Sequence, residues 1–159
     1  MKITILCVGK IKEAFYRDAI AEFEKRLSRY CKLEIIEVAD EQTPDSASTA
    51  LQTQIRDKEG ERLLAKYKEE SFLATLEIQG KKMDSVQFSK FIEAAAVKGK
   101  GHVNFVIGGS LGLSDNVCKK SDQAISFSDM TFPHQLMRVI LCEQIYRAFR
   151  IQNGEPYHK

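Results

Sequence analysis

The stretch VNFVIGGSLGL, at residues 103–113, decides the fold class. Its first five residues are an apolar, β-branched run typical of a buried strand, and a glycine-rich turn follows directly. Because parallel neighbours need crossover helices, strands that alternate with helices predict an α/β fold with a mostly parallel sheet flanked by helices. Apolar runs of this kind also occur at residues 2–8, 33–38, 72–78 and 124–127, with helical periodicity between them.

Five helices are predicted from the periodic segments. Asp84 or Ser85 is expected to cap the third helix, and Pro133 is expected to open the fifth. Gly60 is expected to interrupt the second helix, and Gly80 to end the third strand. The predicted helices cover residues 12–30, 51–64, 84–97, 115–120 and 133–152.

The composition is that of a packed globular protein. Of the 159 residues, 43% are hydrophobic and 29% are charged, which suits one domain covering residues 1–159. No uninterrupted apolar run exceeds four residues, whereas a membrane-spanning helix needs about 20. The N-terminal apolar run is too short for a secretory signal, so we expect a cytoplasmic protein with no membrane partner.

The four cysteines, at positions 7, 31, 118 and 142, are at least 24 residues apart. This spacing matches neither a CxxC redox motif nor a zinc site. We therefore expect four reduced thiols and no metal.

Charge is segregated along the chain although the formal net charge is only +2. Residues 1–35 carry 8 basic and 5 acidic groups, whereas residues 36–77 carry 5 basic and 10 acidic groups. If the protein binds nucleic acid, we expect a local patch built from Lys10, Lys12, Arg17 and the C-terminal arginines. An ordinary solvated surface explains the same pattern.

The glycine-rich turn at residues 108–112 would let backbone amides approach a ligand, because glycine has no Cβ. It does not follow the first strand, as a dinucleotide fingerprint does, and it lacks the lysine of a phosphate loop. It is therefore either a tight turn or a platform for a ligand bound through adenine, ribose or amino-acid groups. On the second interpretation, valine at Gly108 or Gly109 should enter the ligand space and abolish binding.

Polar residues interrupt the apolar stripe of the last helix. A buried arginine without a partner is very costly, so Arg138 must meet a carboxylate, a ligand, or a cleft or subunit boundary. Arg147 and Arg150 project from the opposite side. Laid out at 100° per residue, the stripe contains Met137, Ile140, Leu141, Ile145, Ala148 and Phe149, together with His134, Arg138 and Gln144.

The chain ends in Glu155, Pro156, Tyr157, His158 and Lys159. Chain ends are usually disordered, which is one interpretation of this tail. The other is functional, because a tyrosine can stack on a base and a histidine can move protons near neutral pH.

Four motifs together resemble the SPOUT-class family of methyltransferases that modify a pseudouridine in bacterial 23S ribosomal RNA. The resemblance covers the whole chain, and the pairing of the Phe-Pro-His-Gln motif with the Tyr-His tail is highly specific. The motifs are IGGSLGL at 107–113, SFSDMTFPHQLMR at 126–138, EQIYR at 143–147 and PYHK at 156–159.

The resemblance implies a trefoil-knotted α/β fold, although general topology rules count against knots. It also implies a homodimer packed through the knot region and the last helix. S-adenosylmethionine is the implied cofactor, held mainly by backbone groups. The implied cofactor-binding residues are Leu76, Gly108, Gly109, Phe127, Ser128, Asp129, Met130, Thr131, Phe132 and His134.

The implied reaction is methylation of N3 of a pseudouridine in helix 69 of 23S rRNA on the assembled ribosome. That imide nitrogen must lose its proton to become a good nucleophile. We expect His158 to accept the proton or organise its removal, Tyr157 to stack or position the base, and Arg138 to stabilise the anion. His134 is expected to support the cofactor loop, with its protonated form disfavoured by the helix N-terminus.

Two other functions remain open on the residues alone. A nucleotide- or flavin-binding α/β enzyme would use the same strand ends but would need a phosphate-binding turn. A noncatalytic ribosome-binding module would need only the basic ends. Binding measurements separate the three functions. A methyltransferase binds S-adenosylmethionine, a nucleotide or flavin enzyme binds a phosphorylated cofactor, and a noncatalytic module binds neither.

Overall fold

The structure, a computed structural model, describes residues 1–159. Its elements alternate from strand to helix along the whole chain, as the sequence predicts. In chain order they are β1 (Lys2–Val8), α1 (Ala14–Leu27), β2 (Lys32–Val38), α2 (Thr49–Leu64), β3 (Phe72–Lys82), α3 (Ser85–Lys98), β4 (His102–Ile107), α4 (Asp115–Lys120), β5 (Gln123–Ser126) and α5 (His134–Gln152).

All five strands form one parallel sheet in the order β2-β1-β4-β3-β5. The predicted parallel α/β architecture is confirmed. Helices cover both faces, which explains why the central strands are apolar on both sides. The carboxyl ends of the strands meet at one edge of such a sheet, and ligands of open α/β folds bind at that edge.

Two apolar cores lie on opposite faces of the sheet. The larger core contains 20 buried residues, with contributions from α1, α3 and α5, such as Leu27, Phe88 and Leu141. The smaller core contains seven buried residues and is closed by Leu63 of α2 and Val117 of α4. The fold therefore has three layers, with three helices on one face and two on the other.

Helix starts follow the predicted capping chemistry. The Asp84 side chain accepts a hydrogen bond from the Gln87 amide, and the Gln87 side chain accepts one from the Asp84 amide, which completes a capping box for α3. Pro133 occupies the N-cap position of α5. The predicted helical boundaries at residues 12 and 30 are wrong, because α1 is shorter at both ends.

Two glycines do not break their elements as the sequence suggested. Helix α2 continues through Gly60, where a Cβ would lie 2.3 Å from Ser114 Oγ, so glycine lets α4 approach α2. Strand β3 continues past Gly80 to Lys82, and a Cβ at Gly80 would lie 2.5 Å from the backbone of Ile125. Both glycines serve close packing between elements.

The last helix is rotated slightly from the predicted stripe. Cys142 is fully buried, whereas Met137 and Ile140 are only half-buried because each borders a cavity. All four cysteines are free. No helix in the structure has the length and apolar character needed to cross a lipid bilayer. No three His, Cys, Asp or Glu side chains lie close enough together to hold a metal ion.

Candidate active site

A cavity of about 500 Å³ opens at the carboxyl ends of β3, β4 and β5. This volume lies within the usual range for small-molecule sites. Its wall contains the glycine turn after β4 and the loop after β5, so the structure brings two distant predicted motifs together. Nine predicted cofactor residues line it: Leu76, Gly108, Gly109, Phe127, Ser128, Met130, Thr131, Phe132 and His134.

The tenth predicted cofactor residue, Asp129, does not line the cavity. Its carboxylate is 2.6 Å from Lys82 Nζ, and both side chains are well exposed. The loop around it is organised by its own serines, because Ser128 Oγ accepts a hydrogen bond from the Met130 amide at 2.9 Å. Asp129 therefore tethers the outer side of this loop to the end of β3.

The glycine turn closes tightly on itself. Gly112 has a φ of +81°, and its amide donates to the Gly109 carbonyl at 3.0 Å. A Cβ at Gly108 would lie 2.7 Å from the Gly112 carbonyl carbon, and one at Gly109 would lie 3.2 Å from Val8 and Glu59. Larger side chains would thus distort the turn or press on the protein behind it. These contacts give a second reason for a valine effect, and entry into the ligand space stays a prediction.

Strand β3 reaches the cavity through an irregularity that the sequence did not predict. Leu76 and Lys81 both register with Ile125, so residues 77–80 bulge out of the ladder. Bulges of this kind re-aim side chains and are common next to active sites. The bulge places Glu77, Ile78 and Gln79 in the cavity wall.

Glu77 is the site residue that sequence reasoning missed. Its carboxylate accepts hydrogen bonds from Thr75 Oγ at 2.6 Å and from the Cys118 thiol at 3.2 Å. Burial, followed by the contact with Glu77, raises the pKa of Cys118 to about 11, so the thiol stays protonated as a donor. The signal in the sequence was a carboxylate at a strand end next to the glycine of LEIQG.

His134 lies in the first turn of α5 and borders the cavity. Burial, together with the nearby positive charge of Arg138, lowers the pKa of His134. The lowered pKa agrees with the expected preference for the neutral imidazole, with burial as the largest cause and Arg138 as the next. Neutral imidazole can both donate and accept a hydrogen bond at the cavity wall.

Arg138 is fully buried and does not line the cavity. One terminal nitrogen lies 2.8 Å from Glu37 Oε2, and the other donates to the carbonyls of Val8 and Gly9 at 2.7 and 2.8 Å. The sequence predicted a carboxylate, a ligand, or a cleft or subunit boundary as the partner of Arg138. The structure shows a carboxylate, that of Glu37. Arg138 therefore ties α5 to the carboxyl ends of β1 and β2, and only its Nε lacks a partner.

The C-terminal tail folds back onto α5 instead of being disordered. Tyr157 Oη donates to Glu143 Oε1 at 3.0 Å, and the Arg147 guanidinium lies 4.7 Å from the centre of the Tyr157 ring. His158 Nδ1 is 3.3 Å from Arg147. Burial and the Glu143 carboxylate raise the pKa of Tyr157.

Tyr157 and His158 lie outside the cavity of their own chain. His158 instead borders a second cavity of about 450 Å³, together with Ile140 and Gln144. Phe127 lines both cavities and so stands between them. The structure therefore joins nine of the ten predicted cofactor residues into one site but leaves the predicted catalytic tail beside it.

Comparisons with known proteins show what this chain is similar to. A family model described as "Predicted SPOUT methyltransferase" matches residues 1–158. Two proteins named ribosomal RNA large subunit methyltransferase H are similar over 100% of both chains. The relative from Clostridium botulinum (strain Eklund 17B / Type B) is 57% identical, and that from Bifidobacterium adolescentis (strain ATCC 15703 / DSM 20083 / NCTC 11814 / E194a) is 55% identical.

A solved structure shares the fold. It is described as that of a probable methylase family protein from Haemophilus influenzae Rd KW20, with a TM-score of 0.57 and 14% identity. The match covers 99% of this chain and 70% of the other.

Proposed function

This chain belongs to the SPOUT methyltransferase family, and on that premise we propose that it methylates N3 of a pseudouridine in helix 69 of 23S ribosomal RNA. Relatives named as large-subunit ribosomal RNA methyltransferases match it over their full length at 55% and 57% identity. The observation that carries the proposal is the cavity in which the glycine turn and the loop after β5 meet.

S-adenosylmethionine is the proposed methyl donor, and the residues of the cavity fit it. The glycine turn and residues 127–132 offer backbone groups for its adenosine, and about half of the lining is apolar. No lysine or arginine lines the cavity, which disfavours the alternative of a nucleotide or flavin cofactor with charged phosphates. When bound, the sulfonium would supply the methyl group.

Proton removal from the acceptor nitrogen is assigned to the tail. We keep His158 as the group that accepts the proton or organises its removal, and Tyr157 as the group that positions the base. Arg138 was predicted as a cation at the base, but its full burial and its bond to Glu37 favour a positioning role. From there it holds the first turn of α5, and with it His134, against the end of β1.

A homodimer is part of the proposal. Tyr157 and His158 do not line the cavity of their own chain, so a second copy packed along α5 would bring tail and cavity together. Half-buried apolar residues of α5, such as Leu136 and Val139, offer surface for that contact. The implied trefoil knot belongs to the same proposal and is supported by the match to the SPOUT methyltransferase family. A traced crystal structure of the dimer tests both.

The proposed substrate is the assembled ribosome, which places the protein in the cytoplasm. A chain of 18.1 kDa that builds a cofactor site and a dimer interface has little surface left for reading RNA sequence. Lys10 and Lys12 are exposed beside the carboxyl end of β1, in a loop that Arg17 holds through two backbone carbonyls. Such cations would contact phosphate and position the enzyme.

The function is tested by incubating ribosomal particles and naked helix 69 RNA with the protein and labelled S-adenosylmethionine. We expect label in 23S rRNA of the assembled particle, mapped to one pseudouridine by mass spectrometry. Equally fast methylation of the naked stem-loop would overturn the ribosome as substrate. Cofactor binding without any transfer to ribosomal RNA would overturn the proposed reaction and favour the noncatalytic module.

A further inference from the structure

Glu77 is the only carboxylate among the 21 residues that line the proposed cofactor cavity. The lining contains no lysine or arginine, and burial together with Arg138 lowers the pKa of its single histidine, His134. Glu77 is therefore the one residue that gives this cavity a net charge, and that charge is negative.

Two hydrogen bonds hold the Glu77 carboxylate in place. Thr75 and Glu77 are two residues apart on β3, so both side chains lie on the face covered by α4. The fully buried Thr75 donates to one carboxylate oxygen, and the Cys118 thiol of α4 donates to the other. These two hydrogen bonds fix the orientation of the carboxylate.

Methyl transfer changes the charge of the molecule in this cavity. The bond between sulfur and methyl carbon breaks, its electron pair stays on sulfur, and a bond forms from the acceptor nitrogen to that carbon while the acceptor proton leaves. The donor is a sulfonium cation, whereas the product is a neutral thioether. A fixed carboxylate attracts the first and has no such attraction for the second.

We propose that Glu77 makes the cavity prefer the cationic methyl donor to the neutral thioether product, and so favours release of the product. This inference rests on the proposed function. Glu77 acts here as a residue that sets ligand specificity.

The test measures the affinities of three ligands by calorimetry in wild-type protein and in Glu77→Gln. S-adenosylmethionine carries the sulfonium, sinefungin carries a protonated amine in its place, and S-adenosylhomocysteine carries a neutral thioether. All three share the adenosine and the amino-acid group. We expect Glu77→Gln to weaken binding of the two cationic ligands about tenfold, because the charge attraction is lost, and to leave binding of S-adenosylhomocysteine unchanged.

Glu69→Gln is the matched control, because it removes the same charge from a carboxylate that pairs with Lys120 and does not line the cavity. This control is expected to retain the wild-type affinities. An equal loss for all three ligands in Glu77→Gln would overturn the proposal and assign Glu77 to the shared adenosine or amino-acid group.

An unchanged preference for the cationic ligands would also overturn the proposal. If Glu77→Gln does not fold, Glu77→Asp replaces it, since a shorter carboxylate should reduce that preference by about threefold. If Glu77→Asp keeps the wild-type preference for the cationic ligands, the proposal is also overturned. Failure of the proposed function is distinct from these results, because wild-type protein would then bind none of the three ligands.

Discussion

The two ends of helix α5 hold their arginines in opposite ways. Near the first turn, Arg138 is fully buried, and both of its terminal nitrogens are bonded to Glu37 and to the end of β1. In the last turns, Arg147 and Arg150 are partly exposed and bind the tail through Tyr157, His158 and the Pro156 carbonyl. The first end is built into the fold, whereas the second clamps a segment that lies on the surface.

This difference separates two kinds of contribution. A buried guanidinium that loses its partners is very costly. The folded protein therefore requires α5 to lie where Arg138 can reach Glu37 and the end of β1. Ion pairs open to water contribute little and can be exchanged for other partners. The contacts that hold the tail on α5 are therefore weaker than those that hold the first turn of α5 beside the cavity.

Arg138→Ala is expected to have the largest effect. It leaves the buried carbonyls of Val8 and Gly9 without the guanidinium and leaves Glu37 with only the Ile11 amide as a donor, so the free energy of unfolding should fall by about 3–5 kcal/mol. Arg147→Ala on the same helix should cost about 1 kcal/mol or less. Urea denaturation of both variants measures the contrast, and equal losses would remove the distinction between the two ends.

Deletion of residues 156–159 should leave S-adenosylmethionine binding and dimerisation intact while reducing methylation of ribosomes about 100-fold or more, as expected for a lost acid–base group. Label incorporation, calorimetry and ultracentrifugation measure the three properties. Deletion of the exposed Lys159 alone is the control and should have no effect. Full activity without residues 156–159 would remove the tail from the chemistry and leave His134 as the candidate at the cavity wall.

Glu143→Gln should weaken the attachment of the tail to α5 by a smaller free energy, up to about 1 kcal/mol. Glu143 accepts hydrogen bonds from Tyr157 and Arg147 at a partly exposed site, where such contacts contribute little. Amide exchange at Glu155 and at residues 157–159 should accelerate, while the core of α5 stays protected. The pKa of Tyr157 should fall towards its ordinary value, which ultraviolet titration detects. Unaltered exchange in the tail would mean that other contacts hold it.

The smallest effect concerns pH and His134. Because its pKa is lower in the folded than in the unfolded protein, the unfolded state binds more protons below about pH 6.5, and acid therefore destabilises the fold. His134→Gln should remove this part of the pH dependence, so its stability relative to wild type should rise as the pH falls from 7 to 5. Denaturation curves at both pH values test this, and a constant difference would contradict it.

Local sequence signals predicted most of the elements and most of the cavity wall. Apolar runs, the Asp84 cap and Pro133 placed strands and helices within a few residues, because these signals act over one or two turns. The motif resemblance selected nine residues that line one cavity. The bulge at residues 77–80 escaped prediction, since it arises from the pairing of β3 with β5 and has no local signature.

The sequence by itself determined that this chain alternates strands and helices, that a glycine turn follows β4, and that Arg138 needs a buried partner. Periodicity, the absence of a Cβ and the cost of burying a charge are properties of residues and short segments. Only the tertiary structure decided that the partner is Glu37, that Glu77 faces the cavity with Cys118 behind it, and that the tail lies along α5. Those contacts join residues from 14 to 101 positions apart, and their geometry is set by strand order and helix packing.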